Sequence, residues 1–381
     1  MDKILINALV LTGQYSGVNY TTAYLLDAIG RLDLHDYHIT VLVSRDYAGD
    51  VPANNHLELK KAPIDSKSRM ARIGYENFIL PFFLKRNGYQ LYHSTAYVLP
   101  FFIRTPAIVT LHDLIALDHP GLCKNSTAVY FGLCLPRTMK KAAKIIVVSD
   151  TVKNDILRTF NRIRPEKIET IHHGLSSRFK PVKDAGQLAA CREKYGLPDK
   201  YLLFVGNIEP KKNIVGLCKA FQKLIGDYGL EHTLVIVGKK GWKYSAVFRY
   251  IQRAGLANRI IFTGYADDSD IPVLYSLADV CLFPSLYEGF GLPVIEAMAC
   301  GCPVVVSDRG ALPEISSGIT PPLSPGDFAG IAAQTYRLVT DLAYRRAVIE
   351  KGLLHSRQFS WDKAAEQTVG VYKDLLRVKD R

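Results

Sequence analysis

Along the whole chain, short apolar runs rich in β-branched residues alternate with longer segments whose apolar residues recur at helical spacing. The short runs have the length and composition of buried strands, and the longer segments have those of amphipathic helices. Strands that alternate with helices pair in parallel and carry helices on both faces of their sheet. The pattern therefore predicts an α/β protein built on parallel sheets.

The strand pattern occurs in two blocks. The first contains KILINAL, HITVLV, YQLYHS, AIVTLH, KIIVVS and KIETIH, and the second contains YLLFVG, TLVIVG, RIIFTG, DVCLFP and PVVVSD. Between them, SSRFKPVKDAGQ loses apolar periodicity and contains Pro181 and Gly186. A chain of 381 residues is long enough for two cores. We expect two doubly wound domains, over 1–180 and 181–360, and an amphipathic helix over 361–381 that no strand follows.

Composition and charge narrow the possible classes. Hydrophobic residues make up 48% of the chain, which argues against disorder, and the net charge of +12 favours anionic partners such as nucleotides or an anionic membrane. Seven cysteines without a Cys-x-x-Cys pair fit a reducing cytoplasm. The start, MDKILINALVLTG, is interrupted by Asn7 and reads as a strand rather than a signal peptide. The apolar cluster at 78–84 is far shorter than the roughly 20 residues of a membrane-spanning helix.

One stretch, PSLYEGFGLPVIEAMACGCPVVVS over Pro284 to Ser307, has the order strand, loop and helix. In doubly wound sheets, ligands bind where such loops leave the carboxyl ends of strands. Gly291 lets the backbone approach a ligand closely, and Pro293 suits the first turn of a helix. We expect the backbone N–H groups of Phe290, Gly291 and Leu292 to face an anion.

Two glutamates lie in this stretch, and the second, Glu296, stands in an otherwise apolar run. A buried carboxylate costs several kcal/mol unless it is hydrogen-bonded, and a ribose diol would supply two O–H donors at once. Glu288, on the loop, is placed to accept hydrogen bonds from the hydroxyls of a sugar. The alternatives are that Glu296 pairs with a nearby cation and that Glu288 is an ordinary exposed acid.

At this point the sequence resembles a known family, the GT4-type retaining glycosyltransferases of the GT-B fold. Their motif EGFGLPxxEAMxxGxPVV is matched from Glu288 to Val305, and the blocks LFVGNIEPKKNIVGLCKAF, RGALPEI and FSWDKAAEQ extend the resemblance over nearly the whole chain. The resemblance implies two Rossmann-like domains with a cleft between them and a donor held mainly by the second domain. It also implies a C-terminal helix that packs back on the N-terminal domain.

The loop GNIEPKKN follows the strand YLLFV and begins at Gly206. The resemblance implies that Lys212 binds the donor's phosphates, that Lys211 shares this role, and that Gly206 contacts the donor. Many members carry Arg where this chain has Asn207. A lysine can neutralise a diphosphate as a compact charge, although a solvated surface lysine is the commoner case.

Further candidates lie in the first half of the chain. The resemblance implies that the loop with Gly13 and Gly17 contacts the donor diphosphate, where the alternative is a tight turn. It also implies that His112, directly after the strand AIVTL, lies close to the transferred sugar without being a nucleophile. A satisfied core histidine is the alternative there. His172 and His173 also end a strand, and we expect them to be structural.

One motif could suggest a metal site, and one basic segment suggests a role at the protein surface. Asp268 and Asp270 spell Asp-x-Asp, yet they precede the segment IPVLYSLADV and read as acids at a helix N-terminus, so we expect neither a metal nor a cofactor. The segment SKSRMARIGYENFILPFFLKR over 66–86 mixes cations with aromatic residues. Such a mixture fits contact with a membrane interface or a lipid pyrophosphate, and the alternative is a packing helix with a solvated basic face.

The resemblance, together with these residues, implies a retaining, metal-independent hexosyltransferase that uses Glu288, His112 and Lys212. We expect GDP-mannose as the donor, ahead of UDP- and dTDP-sugars, and a glycan or lipid-linked glycan of a surface polysaccharide as the acceptor. The expected location is the cytoplasm, with peripheral association at the inner face of the cell membrane. Nucleic acid is not expected, since no recognition motif is found. The alternatives are a GT-B nucleotide-sugar epimerase and a non-catalytic nucleotide-sugar-binding protein.

Overall fold

A computed structural model describes residues 1–12, 17–49 and 56–377. The chain folds into two compact units. The first consists of Met1–Gly174 together with the chain from Phe359 onward, and the second is Leu175–Gln358. The division after Gly174 falls a few residues before the predicted boundary near residue 180, so that Arg178 belongs to the second unit.

The described part of the first unit contains one sheet of seven parallel strands. The strands are β1 (Asp2–Asn7), β2 (Tyr37–Val43), β3 (Leu57–Lys61), β4 (Leu91–Ser94), β5 (Ala107–Leu111), β6 (Lys144–Val147) and β7 (Ile168–Thr170). They are arranged in the order β3-β2-β1-β4-β5-β6-β7. Ile4 of β1 lies opposite Ile39 on one side and Leu91 on the other, and all three are buried. The chain therefore reverses its direction of travel across the sheet between β1 and β4.

Strand β3 is not among the predicted strands. Its sequence LELKK has only Leu57 fully buried, because β3 is the edge strand: Leu59 is half-buried against the core, and the other three side chains are exposed. Edge strands commonly carry lysines, which discourage pairing with another chain, and Lys60 and Lys61 fit this rule. A strand of this kind lacks the apolar run on which the prediction relied.

Helices cover the first sheet on both faces, as expected for a doubly wound unit. They are α1 (Gly17–Gly30), α2 (Arg69–Gly74), α3 (Leu80–Arg86), α4 (Ile115–Asp118), α5 (Asn125–Lys141), α6 (Asp150–Thr159) and, from the end of the chain, α15 (Trp361–Arg377). A π-helical turn, Tyr75–Ile79, joins α2 to α3.

The last helix is part of the core of the first unit. The Trp361 ring stacks on Tyr24 of α1 with centroids 5.7 Å apart, and the Tyr372 hydroxyl lies 2.6 Å from Nδ1 of buried His93 on β4. His93 Nε2 lies 2.8 Å from the Thr110 hydroxyl on β5, so one polar chain links the helix to two central strands. The final helix thus satisfies polar groups that the strands alone would leave buried and unpaired.

The second unit contains a sheet of five parallel strands in the order β10-β9-β8-β11-β12. They are β8 (Tyr201–Val205), β9 (Thr233–Val237), β10 (Ile260–Gly264), β11 (Val280–Phe283) and β12 (Val304–Val306). Buried Leu203 of β8 pairs with Val235 on one side and Cys281 on the other, so the order reverses between β8 and β11. Loops that leave the carboxyl ends of these two strands meet at this switch point.

The helices of the second unit pack around this sheet. They are α7 (Ala185–Tyr195), α8 (Ile214–Tyr228), α9 (Ser245–Arg253), α10 (Ile271–Leu277), α11 (Leu292–Ala299), α12 (Leu312–Ser316), α13 (Phe328–Thr340) and α14 (Leu342–Ser356). The prediction of two doubly wound, Rossmann-like units is confirmed. Across residues 1–12, 17–49 and 56–377, no helix has the length and apolar character needed to cross a membrane.

Candidate active site

An ion pair lies at the switch point of the second sheet. Lys212, in the 3-10 turn that follows β8, places its Nζ 2.5 Å from Oε1 of Glu288, on the loop that follows β11. The Ser285 hydroxyl donates to the same carboxylate oxygen at 2.8 Å. The side chains of Lys212 and Glu288 are only 15% and 11% exposed. Two residues that are 76 positions apart are thus joined where this class of sheet binds ligands.

Nearby lysines set the charge state of Glu288. Burial alone would raise the pKa of this carboxyl, but the charge of Lys212, the charge of Lys211 and the hydrogen bonds from Lys212 and Ser285 outweigh it. The net effect is a pKa below the usual value, so Glu288 is ionised at neutral pH. Lys211 itself is half-buried, with its Nζ 3.6 Å from Oε1 of Glu209.

Backbone contacts fix the lysine loop against the glutamate loop. The N–H of Leu286 donates to the Lys211 carbonyl at 2.7 Å. Asn213, with a left-handed φ of 54°, caps α8, and its side-chain amide donates at 3.0 Å to the carbonyls of Pro284 and Pro325. The position of Lys212 is therefore set by the scaffold on both of its sides.

Gly310 allows a third loop to support Glu288. Its φ is +57°, and a Cβ built there would lie 2.3 Å from the carbonyl oxygen of Glu288. The next residue, Ala311, donates its N–H to that carbonyl at 2.8 Å. Only glycine permits this approach, since any side chain would collide with the backbone of Glu288. Although Gly310 lies in the block RGALPEI, its role could not be read from the local sequence.

Glu296 lies in the second turn of α11, half-buried, and accepts a hydrogen bond of 3.2 Å from the Tyr275 hydroxyl of α10. Burial raises its pKa to about 7, against the opposing charge of Arg178 and the Tyr275 hydrogen bond. Among the residues that the structure describes, Glu296 has no ion pair within 4 Å. The desolvation of the Glu296 carboxylate is thus offset by only one hydrogen bond and the charge of Arg178. The hydroxyl groups of the expected ligand would supply further donors.

Arg178 was missed at the sequence level because it lies in the stretch read as a linker. Its guanidinium is 3.8 Å from Asp268 and packs on the Phe179 ring at 4.8 Å. Its buried Nε has no hydrogen-bond partner within the described chain. The positive charge of Arg178 therefore lowers the pKa of Glu296, although its Nε–H donates to no described group.

The loop that starts α11 takes the predicted form. Gly291, with a φ of +110°, precedes the helix, and a Cβ there would lie 2.8 Å from a methyl group of Leu312. Phe290 is buried and Leu292 opens the helix. The N–H of Val294 donates to the Gly291 carbonyl at 2.9 Å, and the expected contact of an anion with the N–H groups of Phe290, Gly291 and Leu292 remains a prediction.

Gly206 directly follows β8 and has a φ of +152°, and a Cβ there would lie 3.2 Å from the Phe204 ring and 3.6 Å from Cε of Lys212. Gly238 directly follows the neighbouring β9, and a Cβ there would lie 2.1 Å from the Gly206 carbonyl oxygen. Paired glycines thus bring two strand ends into close approach. This contact places Gly206 beside the stem of Lys212.

The acids of the Asp-x-Asp sequence serve as ion-pair partners. Asp270 stands at the N-cap of α10 without capping it, because its carboxylate accepts from Lys194 at 2.6 Å and from the Tyr195 hydroxyl at 2.7 Å. Asp268 lies near Arg178. Across the described ranges, no group of three or more His, Cys, Asp or Glu side chains is arranged to hold a metal ion.

In the first unit, His112 lies directly after β5, at the same edge of the sheet as the end of β1. Its Nε2 is 3.0 Å from the Thr95 carbonyl, which can only accept, so Nε2 carries the proton and Nδ1 keeps its lone pair. Burial lowers the pKa of His112, against the Thr95 hydrogen bond and the charge of Asp113. Its ring stacks on His173, which in turn packs on Trp361.

His173 is therefore more closely tied to the candidate site than the sequence indicated, since it fixes the plane of the His112 ring.

Gly17 is the first residue of α1, and the residues directly before it, including Gly13, lie outside the described residues. The contact expected between Gly17 and a donor remains a prediction.

Comparison with known proteins identifies the family of the chain. The family described as glycosyl transferases group 1 matches residues 190–317, and the one described as glycosyltransferase family 4 matches residues 15–178. The O-antigen chain mannosyltransferase B of Escherichia coli is 33% identical over 286 residues, which are 75% of this chain and 74% of that protein. The chain belongs to glycosyltransferase family 4. The predicted family is confirmed, and the enzyme class is glycosyltransferase.

Solved structures share the fold of this family 4 glycosyltransferase. Sucrose-phosphate synthase from Thermosynechococcus elongatus superimposes with a TM-score of 0.78 at 22% identity and covers 99% of this chain and 100% of its own. HepE from Anabaena, solved with UDP and glucose, gives a TM-score of 0.75 at 18% identity and covers 98% and 100%. The GT-B fold is thereby established. The epimerase and the non-catalytic binding protein are not favoured.

Proposed function

We propose that this glycosyltransferase moves a hexose from a nucleotide-diphosphate donor to a hydroxyl of a glycan or lipid-linked glycan, with retention of anomeric configuration and without a metal ion. The observation that carries the proposal is the Lys212–Glu288 pair at the switch point of the second sheet. GDP-mannose is the favoured donor, because a mannosyltransferase is 33% identical to this chain.

Each part of the donor has a group suited to it. The Glu296 carboxylate accepts two hydrogen bonds from the ribose diol, which compensates its desolvation. Lys212 and Lys211, together with the N–H groups of Phe290, Gly291 and Leu292, hold the diphosphate. Gly206 and Gly17 let the backbone approach the donor closely. The Glu288 carboxylate, oriented by Lys212 and Ser285, accepts from the hydroxyls of the hexose.

The transfer proceeds as a front-side displacement. A bond forms between the acceptor oxygen and the anomeric carbon on the face from which the diphosphate leaves, as the bond from that carbon to the phosphate oxygen breaks. The acceptor's proton passes to the departing diphosphate oxygen, so no enzymic nucleophile or base is needed. The ammonium of Lys212 stabilises the charge that develops on the diphosphate, and the fixed loops position the reactants.

His112 acts as a positioning residue for the transferred hexose. Because Nε2 donates to the Thr95 carbonyl, the ring presents Nδ1 as an acceptor for a sugar hydroxyl. Burial lowers the pKa of His112, so the ring is neutral at physiological pH and keeps this lone pair.

The proposed setting is surface polysaccharide synthesis at the cytoplasmic face of the cell membrane. Similarity to an O-antigen chain mannosyltransferase supports a surface polysaccharide as the product. The net charge of +12 and the cations and aromatic residues of 66–88 support peripheral contact with anionic lipid. No recognition motif supports a nucleic-acid partner.

The test combines donor binding with product formation. GDP-mannose should raise the melting temperature more than UDP-glucose or dTDP-glucose, because only a bound ligand stabilises the native state. Glu288→Ala should lower transfer at least about 100-fold and also lower the melting temperature, because it leaves the Lys212 ammonium without its ion-pair partner, so transfer is compared at a temperature at which the variant is folded. Glu350→Ala, at an exposed position of α14, should leave both transfer and melting temperature unchanged. Conversion of the donor sugar without an acceptor would instead indicate an epimerase. A thermal shift without any product would indicate a binding protein.

A further inference from the structure

One face of the first unit exposes apolar side chains among many cations. It is formed by residues 66–86, 101–104 and 124–141, which together are called the basic aromatic surface. The described chain has thirteen exposed large hydrophobic side chains, and seven of them lie on these three segments. They are Met70, Phe78, Ile79, Phe82, Phe102, Val129 and Leu133. Contiguous exposed apolar surface of this kind marks an interaction site rather than ordinary solvent exposure.

The three segments touch one another and form one continuous surface. The Asn77 side chain accepts from the N–H of Phe101 at 2.7 Å, which joins the π-helical turn to the loop at 101–104. Arg137 of α5 donates to the Phe101 carbonyl at 2.9 Å. Arg69 of α2 lies over the Tyr130 ring of α5 at 4.9 Å. Because each segment contacts the other two, the exposed side chains share a face.

This surface is strongly cationic. The three segments contain ten Lys and Arg residues and a single acid, Glu76. Glu76 is half-buried and accepts from Asn7 at 2.8 Å, and burial raises its pKa, so the single acid faces Asn7 of β1 while the lysines and arginines outnumber it ten to one. A second copy of the chain would bring ten cations against ten in a symmetric contact, which like-charge repulsion opposes. An anionic partner matches the surface better.

We propose that the basic aromatic surface docks the first unit on an anionic lipid bilayer. The aromatic and aliphatic side chains enter the interfacial region, and the surrounding lysines and arginines contact lipid phosphates. The participation of α5 and of the loop at 101–104 extends the surface beyond the segment that the sequence pattern singled out.

The surface connects directly to His112 through a row of rings. From Tyr130, beneath Arg69, the row passes to Phe131 at 5.4 Å, to Tyr97 at 5.0 Å and to His112 at 5.5 Å. If the proposed function holds, on which this step rests, a docked enzyme brings His112 near the bilayer. The acceptor is then a glycan carried on a membrane lipid rather than a free sugar.

Vesicle sedimentation of the full chain tests the docking without donor or acceptor. Vesicles of three parts phosphatidylethanolamine to one part phosphatidylglycerol should sediment the wild type at low salt, and vesicles of phosphatidylcholine alone should not. Each cation near an anionic surface changes binding about fivefold, so Lys85→Glu/Arg86→Glu should lower the partition coefficient at least about 25-fold. Phe78→Ser/Phe82→Ser should lower it at least about tenfold.

Helix α14 provides a matched control because it also exposes leucines and cations. Leu342 and Leu354 are 60% and 66% exposed, and Arg346 and Lys351 are exposed as well. Leu342→Ser/Leu354→Ser and Arg346→Glu/Lys351→Glu should leave sedimentation unchanged. All four double variants should keep the far-ultraviolet circular dichroism spectrum and the cooperative thermal unfolding of the wild type, which confirms that they fold without reference to any donor.

The outcomes separate this inference from the proposed function. Failure of the wild type to sediment, or equal losses in the α14 variants, would overturn the docking whatever the catalytic results. A dimer in solution that Phe78→Ser/Phe82→Ser dissociates, without vesicle binding, would also overturn it and assign the surface to a second copy. Docking-deficient variants should transfer the sugar to a soluble glycan at the wild-type rate. Their rate of transfer to a lipid-borne glycan should fall at least about tenfold. Absence of all transfer by the wild type would refute the proposed function and leave the sedimentation result standing.

Discussion

Replacement of Glu296 by glutamine should stabilise the second unit above pH 7 when no donor is bound. The half-buried carboxyl has a single hydrogen bond, from Tyr275, and no ion pair within 4 Å in the described part of the chain. Burial therefore raises its pKa from 4.5 to about 7. Glutamine has nearly the same shape and can still accept from Tyr275, but it carries no charge at any pH.

The magnitude follows from the linkage between protonation and folding. Since the folded state binds the proton more tightly than the unfolded state, the wild-type free energy of unfolding is highest below pH 4.5 and falls as the pH rises through 7. A shift from 4.5 to about 7 corresponds to a full loss of about 3 kcal/mol. Between pH 5 and pH 8.5, the advantage of Glu296→Gln should grow by about 2.5 kcal/mol.

Tryptophan fluorescence can follow the second unit by itself. The chain has two tryptophans, Trp242 in the second unit and Trp361 in the first. In a Trp361→Phe background, urea unfolding monitored at Trp242 gives the free energy for the unit that contains Glu296. Comparison of variant with parent at each pH cancels the titration of all unchanged groups.

Glu288→Gln provides a control of opposite sign. The lysine charges hold the pKa of Glu288 below its usual value despite burial, so this carboxylate stabilises the fold above pH 4.5 and the contribution is lost as the pH falls through its folded pKa. Glu288→Gln should therefore destabilise the protein at pH 8.5 and do so less at low pH. A loss of stability in Glu296→Gln at pH 8.5, or the same effect at pH 5 and pH 8.5, would contradict the raised pKa of Glu296.

Two further predictions concern the support of the ion pair. Gly310→Ala places a Cβ against the Glu288 carbonyl and should lower kcat/KM about 100-fold. The control Gly318→Ala has a similar φ of +61° and nothing within 4 Å of its Cβ, so it should cost only about 1–2 kcal/mol of stability and leave kcat/KM unchanged. Equal activity of the two variants would contradict the role of Gly310. Lys212→Met removes the ion-pair partner of Glu288 and leaves only the charge of Lys211 nearby, so it should destabilise the fold by about 3 kcal/mol at pH 7.5 and lower kcat at least about 100-fold. Retained transfer by Lys212→Met would remove this lysine from the mechanism.

The fold was largely predictable from the sequence because a parallel sheet requires continuous apolar strands. The run YLLFV becomes β8, and IVGLCKAFQKLIGDY becomes α8 at the expected spacing. Strand β3 was missed because an edge strand needs only one buried side chain, Leu57, to pair with its neighbour. The π-helical turn at 75–79 also has no signal in the helical spacing of its residues.

The site was predictable only in part. Lys212 and Glu288 could be proposed separately, because each follows a strand, but their direct contact depends on the order of β8 and β11 in the sheet. The approach of Gly310 to Glu288 and the hydrogen bond from Tyr275 to Glu296 arise from tertiary packing that no local pattern encodes. Motif spacing predicts which loops form the candidate site, whereas tertiary packing determines which contacts position their side chains.

The central claim is that Glu296 is present to bind the ribose of a sugar nucleotide, and calorimetric titration with GDP-mannose as a function of pH tests it most directly. The charge of GDP-mannose is constant between pH 5.5 and pH 8.5, so any change in affinity reports on the protein. If the ionised carboxylate accepts the ribose hydroxyls, the affinity of the wild type should rise up to about thirtyfold over this range as Glu296 loses its proton near pH 7. Glu296→Gln should bind weakly at every pH. A Glu296→Gln variant that binds GDP-mannose as tightly as the wild type at pH 8.5 would contradict the claim.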